Sequence, residues 1–545
     1  RLLEQSAAGD RIELGDGVYE GDTTLHVPSG VCLVGSGKTE LIGHGTGPVL
    51  QTEGTADAEI HALKLRVTVP TSTLISVRHA ARVLIKGCEL DGNILADNGI
   101  LVEHSTDIEI HRNHVQACRL EPDNWGAGIK FESSDGLIDS NHVRDGNIGI
   151  LARQCHTTKS STPTVRVNNN ECLDTTQSGI AFLASCGAIT QNTCQNSKTR
   201  SGIIIQRDSD HPDQPSEADV IGNKCHENAQ SGIAFFSSRG RVEDSDCWGN
   251  RTQSGISIER DKNSPDCASE VDVTGNRNHY NAEFGIIFQS SSGRAKNNEC
   301  WGNRTFSGIG IHRGKATPDC PSEVLVIGNH CHQNEQAGII FSSSKGRVEN
   351  NTCRNSKTRS GIIIQRNSDY PNYPSEVDVV GNKCHENEQA GIVFFSSLGR
   401  VENNDCWGSR TQSGISIQRD ENSPDCASEV DVIGNRCHKN EKAGIVFLSS
   451  RGRVEDNNCW SSRTLSGISI ERDQKSPDCA SEVDVIGNRC HENEQSGIVF
   501  FSSRGRVENN DCGGSRAQSG ISIQRDDNSP DCASEVDVIG NRCHK

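Results

Sequence analysis

The chain has 545 residues, of which 32% are hydrophobic and 4% aromatic, and its formal net charge is −18 at pH 7. This acidic balance argues against a nucleic-acid groove or an anionic membrane surface as partner, because both need clustered Lys and Arg. No stretch of the sequence approaches the roughly 20 apolar residues that a membrane-spanning helix needs.

The N-terminal residues 1–75 are predicted to form a cap and the first coils of a β-structure. In Ala8–Tyr19 and Val31–Gly35, short apolar steps alternate with Gly and Asp, which favour turns between strands. The chain begins at Arg1 without a methionine and stops at Lys545 within a repeat. We therefore expect it to be a segment of a longer protein.

Residues 76–177 contain Gly-Ile steps at Gly99, Gly128 and Gly149, with irregular spacing between them. We predict that this stretch forms irregular coils of the same β-structure. Near-copies of one repeat would make near-copies of one site, so a unique catalytic site is expected here rather than in the regular repeats.

From about residue 178 to the end, the chain repeats every 53 residues. A Gly-Ile step marks each half, as at Gly391, Gly414 and Gly444, and the spacing between glycines alternates between 23 and 30. Such a period, with short apolar steps and no helical pattern, predicts a β-solenoid in which each repeat makes two coils. The fold class is therefore all-β, a single elongated β-helix of roughly 20 or more coils.

Two columns of polar residues are predicted to line the inside of these coils. In the repeats, an asparagine follows the predicted strand with the sequence Val-Asp-Val or Arg-Val-Glu, and a cysteine comes two residues after that asparagine. Stacked amides would hydrogen-bond from coil to coil, whereas thiols one strand apart fit a disulfide poorly, so we expect free thiols. The predicted structural ladders include Asn382, Asn404, Asn435, Cys384, Cys406 and Cys437.

These motifs resemble the right-handed parallel β-helix superfamily, the architecture of pectate lyases, polygalacturonases, mannuronan epimerases and the substrate-binding part of some F-box proteins. The resemblance covers nearly the whole chain but concerns architecture, since Gly-Ile-x-Ile and Gly-Asn-x-Cys specify coils and carry no chemistry. The Asp-Pro-His motif of mannuronan epimerases does not occur. Ala8–Tyr19 is similar to the opening coils of carbohydrate-active β-helix proteins.

The residue after each core cysteine is predicted to face outward, because the cysteine faces inward. Along the repeats this position alternates mainly between His and Trp. Exposed tryptophans in a row can stack on sugar rings or anchor a protein partner, and they can equally form a stabilising stack between coils. The predicted ligand-binding stripe comprises Trp248, Trp301, Trp407, Trp460, His332, His385, His438 and His491.

A candidate catalytic cluster lies in the irregular region. Glu103, Lys130, Glu132 and Arg153 occupy outward positions of strands on adjacent predicted coils. Carboxylates beside Lys and Arg could bind a uronate and abstract its C5 proton, as the resemblance to polysaccharide lyases and epimerases implies. The alternative is an ordinary cluster of cross-strand salt bridges.

No metal site or other cofactor is predicted. The sequence has no Cys-x-x-Cys pair to set zinc geometry. Aspartate-rich loops such as residues 420–425 offer oxygen ligands, which leaves calcium as an alternative, but their spacing fits neither an EF-hand nor a calcium β-roll.

Three functions follow from these patterns. The first is a non-catalytic elongated scaffold that binds polysaccharide through the His/Trp stripe. The second is a polysaccharide lyase or C5-epimerase acting on uronates, and the third is an intracellular protein-interaction β-helix of the F-box type. The opening coils favour carbohydrate and an extracellular or cell-surface location, whereas free core thiols suit a reducing compartment.

Overall fold

The computed structural model describes residues 2–119, 125–156, 164–208, 210–211, 214–261, 268–315, 317–420, 427–472, 480–525 and 533–544. It divides into two compact units, Arg1–Asp272 (unit 1) and Val273–Lys545 (unit 2). Among the described residues, no helix has the length and apolar character that a membrane span requires.

Unit 1 contains a short helix followed by β-strands. Its boundary with unit 2 falls within the strand Glu270–Thr274. In chain order the elements are α1 (Leu2–Gln5), β1 (Arg11–Leu14), β2 (Gly17–Gly21), β3 (Leu25–His26), β4 (Cys32–Gly35), β5 (Thr39–Gly43), β6 (Leu50–Glu53), β7 (Glu59–His61), β8 (Lys64–Val67), β9 (Thr71–Arg78), β10 (Leu84–Lys86), β11 (Glu89–Glu103), β12 (Ile108–His111), β13 (His114–Cys118), β14 (Ala127–Glu132), β15 (Gly136–Asp139), β16 (His142–Arg144), β17 (Ile148–Arg153), β18 (Val165–Asn168), β19 (Glu171–Leu173), β20 (Ile180–Leu183), β21 (Cys186–Thr190), β22 (Thr193–Gln195), β23 (Ile203–Gln206), β24 (Glu217–Ile221), β25 (Lys224–His226), β26 (Ile233–Phe236), β27 (Arg239–Glu243), β28 (Asp246–Trp248), β29 (Ile256–Glu259) and β30 (Glu270–Thr274).

Unit 2 is built from strands of three, four or five residues. They are β31 (Arg277–His279), β32 (Ile286–Gln289), β33 (Ser292–Lys296), β34 (Glu299–Trp301), β35 (Ile309–His312), β36 (Glu323–Ile327), β37 (His330–His332), β38 (Ile339–Ser342), β39 (Lys345–Glu349), β40 (Thr352–Arg354), β41 (Ile362–Gln365), β42 (Glu376–Val380), β43 (Lys383–His385), β44 (Ile392–Phe395), β45 (Leu398–Glu402), β46 (Asp405–Trp407), β47 (Ile415–Gln418), β48 (Glu429–Ile433), β49 (Arg436–His438), β50 (Ile445–Leu448), β51 (Arg451–Glu455), β52 (Asn458–Trp460), β53 (Ile468–Glu471), β54 (Glu482–Ile486), β55 (Arg489–His491), β56 (Ile498–Phe501), β57 (Arg504–Glu508), β58 (Asp511–Gly513), β59 (Ile521–Gln524), β60 (Glu535–Ile539) and β61 (Arg542–His544).

Each complete described coil of unit 2 consists of three strands, which we call the first strand, the cysteine strand and the glycine strand; in unit 1, β11 runs through the last two positions as one strand. In one coil of unit 2 these are β42, β43 and β44. Each pairs in parallel with the strand three places further along the chain, β45, β46 and β47 respectively. The predicted all-β solenoid is therefore confirmed, and its coils stack with their residues in register.

Alternating side chains fill the interior of the coils, as period-2 patterning requires. Phe394 and Ile417 of the glycine strands face each other in register, and both are fully buried. Gly381, at φ +66°, makes the turn from a first strand to a cysteine strand, and Asn403 takes the same left-handed conformation, at φ +54°, one coil later. Gly and Asn are the residues that tolerate this conformation.

The predicted asparagine ladder is confirmed. Asn382 donates its backbone N–H and its side-chain amide to Oδ1 of Asn404, at 2.8 and 3.0 Å. Asn404 donates in the same way to Asn435, at 2.9 Å for both bonds. A second asparagine column, which the sequence analysis missed, follows the cysteine strands and includes Asn387 and Asn440.

The cysteine column is also confirmed. Cys384, Cys406 and Cys437 are buried and lie opposite one another in register. Every cysteine in the described part of the chain is a free thiol. Burial, together with hydrogen bonding of the protonated thiol with the sulfurs of Cys353 and Cys406, raises the pKa of Cys384 well above its ordinary value. Because the side chains of Cys384, Cys406 and Cys437 are fully buried, they act as packing groups of the core.

Candidate functional site

The outward side chains of the cysteine strands form a polar and aromatic face in each unit. On a strand such as Lys383–His385 the cysteine points inward, so the residues before and after it point outward. We call this surface the cysteine-strand face. In unit 2 it carries the predicted His/Trp stripe, with His385, Trp407 and His438 in register.

The rings of the stripe stack on one another. In unit 2 the His385 and Trp407 centroids are 4.3 Å apart with 6° between the ring planes, and His438 and Trp460 are 4.3 Å apart at 10°. The centroids of Trp407 and His438 are 5.8 Å apart at 2°. The ring faces therefore lie against one another, and the edges of the stack are what a ligand would meet.

The same stacking recurs where the sequence repeats. Nearer the N-terminal end of unit 2, the ring centroids of His279 and Trp301 are 4.2 Å apart, and those of Trp301 and His332 are 5.8 Å apart. In unit 1, His226 and Trp248 are 4.1 Å apart at 7°. His491 lies opposite Trp460 in register.

Two imidazoles of the stripe, those of His385 and His438, are shifted towards the neutral form. Burial lowers the pKa of His385 and of His438, although nearby carboxylates act in the opposite direction. Nε2 of His438 lies 3.3 Å from Oδ1 of Asp405. The guanidinium of Arg436 lies over the Trp460 ring, 5.7 Å from its centroid.

In unit 1 the cysteine-strand face contains a groove of about 430 Å³. Its walls carry charges of both signs, in strands where Leu or Val takes the place of the core cysteine. The polar residues that line it are Glu40, Lys64, Arg66, Glu89, Asp91, His114, Gln116, His142 and Arg144.

Hydrogen bonds and ion pairs hold the groove walls in place. Lys64 Nζ lies 2.8 Å from Glu89 Oε2, and Arg66 Nε lies 3.4 Å from Glu40 Oε1. On the neighbouring coils, Gln116 donates to Asp91 at 3.0 Å. The groove was not predicted because its strands lack the cysteine that marks the core position in the regular repeats. Aligning Leu65, Leu90, Val115 and Val143 with the cysteines would have found it.

The four residues of the predicted catalytic cluster are brought together. Glu103 lies opposite Glu132, and Glu132 lies opposite Arg153. Lys130 Nζ is 2.8 Å from Glu132 Oε2 on the same strand, and Arg78 Nε is 2.5 Å from Glu103 Oε2.

Arg153 is bound by two aspartates of a later coil. Its Nε donates to Asp208 at 2.9 Å, and its Nη2 donates to Asp210 at 2.7 Å. Burial disfavours the charged guanidinium, but the hydrogen bond and charge of Asp208 outweigh it, so the pKa of Arg153 is raised. The arrangement is that of a salt-bridge network, in which each carboxylate already has a cationic partner.

The calcium alternative falls on residues whose structure is not described. In the loop of residues 420–425, only Asp420 belongs to the described residues.

Parallel strands that wind in successive three-strand coils define a parallel β-helix protein. A family model described as right handed beta helix region matches residues 156–320 and 303–423, and one described as periplasmic copper-binding protein (NosD) matches residues 370–529. The chain belongs to the right-handed parallel β-helix superfamily. No curated protein sequence matches it.

Several solved structures are similar to this chain at 12–13% identity. The catalytic domain of a GH87 alpha-1,3-glucanase has a TM-score of 0.36 at 12% identity; the match covers 64% of this chain and 61% of that domain. The surface adhesin PfbA of Streptococcus pneumoniae has a TM-score of 0.34 at 13% identity, covering 66% and 86%. The A-module of the Azotobacter vinelandii mannuronan C-5 epimerase AlgE6 has a TM-score of 0.24 at 12% identity, covering 96% and 92%. Identities this low say nothing about activity.

Proposed function

We propose that the protein is a non-catalytic scaffold that binds an extended polysaccharide along the cysteine-strand face. One observation carries this proposal: in unit 2 the face repeats the same groups every two coils. On every second cysteine strand of unit 2, an exposed basic residue lies just before the core position, on the same face as the rings. These residues are Arg277, His330, Lys383, Arg436, Arg489 and Arg542.

A periodic surface suits a periodic ligand. Two coils advance about 10 Å along the stack of strands, which is close to the length of a linear disaccharide. A polysaccharide built from such units would present the same hydroxyl or carboxyl groups to each repeat. A globular protein partner has no such period, so it would leave most of the repeated groups unused.

The groove in unit 1 supplies a second type of contact. Lys64, Arg66 and Arg144 can donate hydrogen bonds to hydroxyl or carboxylate oxygens, and Glu89 and Asp91 can accept them from hydroxyl groups. A few convergent polar groups in a concave site are what fixes the orientation of a small ligand or of one segment of a polymer.

The ion pairs of the candidate catalytic cluster favour a structural role for its residues over a catalytic one. A base that removes the C5 proton of a uronate must reach the substrate with an available lone pair. Glu132 is engaged by Lys130, and Glu103 is engaged by Arg78. An arginine that could bind the substrate carboxylate, Arg153, is held by Asp208 and Asp210.

The proposal is tested by measuring retention of the protein on alginate, pectin and a neutral glucan. The triple variant Lys383→Gln, Arg436→Gln, Arg489→Gln removes three cations from the cysteine-strand face. We expect it to weaken retention on the polymer that binds best by about tenfold, since each exposed charged contact contributes roughly 0.5 kcal/mol.

A matched control changes the same charge elsewhere in unit 2. Arg400→Gln, Arg453→Gln and Arg506→Gln lie on first strands, where each arginine pairs with a glutamate two residues further on. Retention of this control should equal that of the parent protein. An equal loss in both triple variants, or no retention on any polymer, would contradict the proposal. Ultraviolet absorbance of an unsaturated product that Lys130→Ala abolishes would replace it with a lyase.

A further inference from the structure

A cluster of three potential metal ligands lies on the first strands of unit 1, away from the cysteine-strand face. Cys32 of β4 and Glu59 of β7 are opposite each other in register. His61 follows Glu59 by two residues, so both side chains point to the same side of β7. In the described part of the chain, this is the one set of three such residues whose donor atoms come this close together.

The donor atoms are already near the spacing of a metal complex. Cys32 Sγ donates to Glu59 Oε2 at 3.5 Å, and His61 Nε2 lies 2.8 Å from the same oxygen. All three donor atoms lie within 4.8 Å of one another. In a tetrahedral zinc site with bonds of 2.0 to 2.3 Å, ligand atoms are roughly 3.3 to 3.8 Å apart. Small side-chain adjustments would therefore suffice.

The chemistry of the donor set favours zinc. A thiolate, an imidazole and a carboxylate are the three ligand types that Zn²⁺ uses in proteins. Cys32 is half-buried, and the side chains of His61 and Glu59 are 20% and 46% exposed. The cluster is thus partly sheltered, and its open side leaves room for water as a fourth ligand.

Hydrogen bonds connect the three donor groups of the cluster. The Glu59 carboxylate accepts a hydrogen bond from the thiol and one from the imidazole. Arg11 Nη1 also donates to Cys32 Sγ, at 3.7 Å. On zinc binding the thiol proton would pass to solvent, and the imidazole would bind through Nε2 with its proton on Nδ1.

We propose that Cys32, Glu59 and His61 form a zinc site with three protein ligands and an open fourth position. The site would link two successive coils near the start of unit 1. It does not depend on the proposed polysaccharide function. It is also separate from the NosD match, which covers residues 370–529 and none of these three.

The test is zinc titration of the whole reduced protein in competition with a chromophoric chelator. We expect one zinc ion per chain and a rise in the melting temperature on zinc addition. Cys32→Ser, Glu59→Gln and His61→Gln should each weaken zinc binding by more than about tenfold. Co²⁺ in place of zinc should give a thiolate-to-metal absorption band that Cys32→Ser removes.

Cys186→Ser is the matched control. Cys186 is another half-buried cysteine of a first strand in unit 1, with His156 Nδ1 3.2 Å from its Sγ and Glu217 opposite it in register. Unlike Cys32, Glu59 and His61, these three residues do not bring their donor atoms within 4.8 Å of one another. This variant should bind zinc like the parent. Circular dichroism of the metal-free variants shows whether they fold, and Glu59→Gln preserves side-chain shape. The site is disproved if the folded protein takes up no zinc, or if Cys32→Ser and His61→Gln bind zinc as tightly as Cys186→Ser.

Discussion

Each buried asparagine of the ladder satisfies its polar atoms within the stack of coils. Asn404 donates its side-chain amide to the Val379 carbonyl and to Asn435 Oδ1, both at 2.9 Å, while its own Oδ1 accepts two bonds from Asn382. Such a residue links three coils at one turn. Removing it leaves several buried groups without partners, which costs more than the bonds themselves contribute.

Asn404→Ala is therefore expected to lower the free energy of unfolding by at least about 2 kcal/mol, because each buried group left unpaired costs roughly 1–3 kcal/mol. Denaturant unfolding measures the change. Glu429→Ala, at an exposed position of the next coil, should change stability by less than about 0.5 kcal/mol. Equal effects of the two substitutions would contradict the structural role of the ladder.

His312 makes unit 2 sensitive to acid. Burial lowers its pKa to about 4, and its ring packs edge-on against Phe284 with centroids 5.2 Å apart. The folded-state pKa is below the value of about 6.5 in an unfolded chain. The unfolded chain therefore binds the proton first, and the contribution of His312 to stability, complete above pH 6.5, is lost as the pH falls towards 4.

Unfolding measured between pH 7 and 4 should show this loss, amounting to at most about 3 kcal/mol. His312→Gln introduces the residue that occupies this position in other coils, as at Gln365 and Gln418. The variant should lose less stability than the parent over the same pH range. Identical pH profiles for parent and variant would show that His312 does not titrate in this way.

At the scale of the strand, stacked groups on neighbouring coils decide which side chains are available to a ligand. The His/Trp stripe of unit 2 is a column in register that Arg354 interrupts, and from His385 to Trp460 the ring faces lie against the neighbouring rings. The same rings can therefore stabilise the stack of coils and contact a ligand. Stacking fixes the rings, and fixed rings present their edges without further loss of side-chain entropy.

Trp407→Ala removes contacts with both His385 and His438, and it should lower the free energy of unfolding by at least about 1 kcal/mol. Trp407→His keeps an aromatic ring in the column and should retain most of that stability. Thermal unfolding of the two variants distinguishes them. If Trp407→Ala were as stable as the parent, the stack would not be structural.

The ion pairs across the glycine strands are expected to be structural as well. Arg153→Ala would leave Asp208, whose side chain is 6% exposed, without its cationic partner. A loss of about 2 kcal/mol or more in the free energy of unfolding should follow. Lys130→Ala, whose partner Glu132 is more exposed, should cost less. The reverse order, measured by denaturant unfolding, would contradict this account.

The fold could be predicted because strand alternation and the Gly, Asn and Cys columns recur in every repeat. The candidate site was harder to predict. Which way a ring faces within a column depends on packing between coils, so the stacking of Trp407 on its neighbours could not be derived from spacing. The groove around Lys64 and His114 lies where aliphatic residues replace the cysteine marker. The cluster of Cys32 with His61 joins residues that are close only after two coils have stacked.

At the scale of the whole molecule, the two units present the same kind of face in different forms. Unit 1 has a groove with mixed charges followed by the His226–Trp248 pair, and unit 2 has regularly repeated basic residues beside the ring stack. The net charge of −18 means that the basic residues of this face stand out against an acidic background. A ligand that follows the repeats gains a small contribution from each coil rather than one large contribution from a single pocket.

The most direct test of this account is the dependence of affinity on oligosaccharide length. Calorimetric titration would use a series of oligosaccharides, differing by one disaccharide each, of the polymer that retains the protein best. Repeated contacts on the cysteine-strand face predict that the dissociation constant keeps falling as the ligand grows to span several pairs of coils. A dissociation constant that stops changing at the disaccharide or trisaccharide would indicate one compact pocket and contradict the extended binding face.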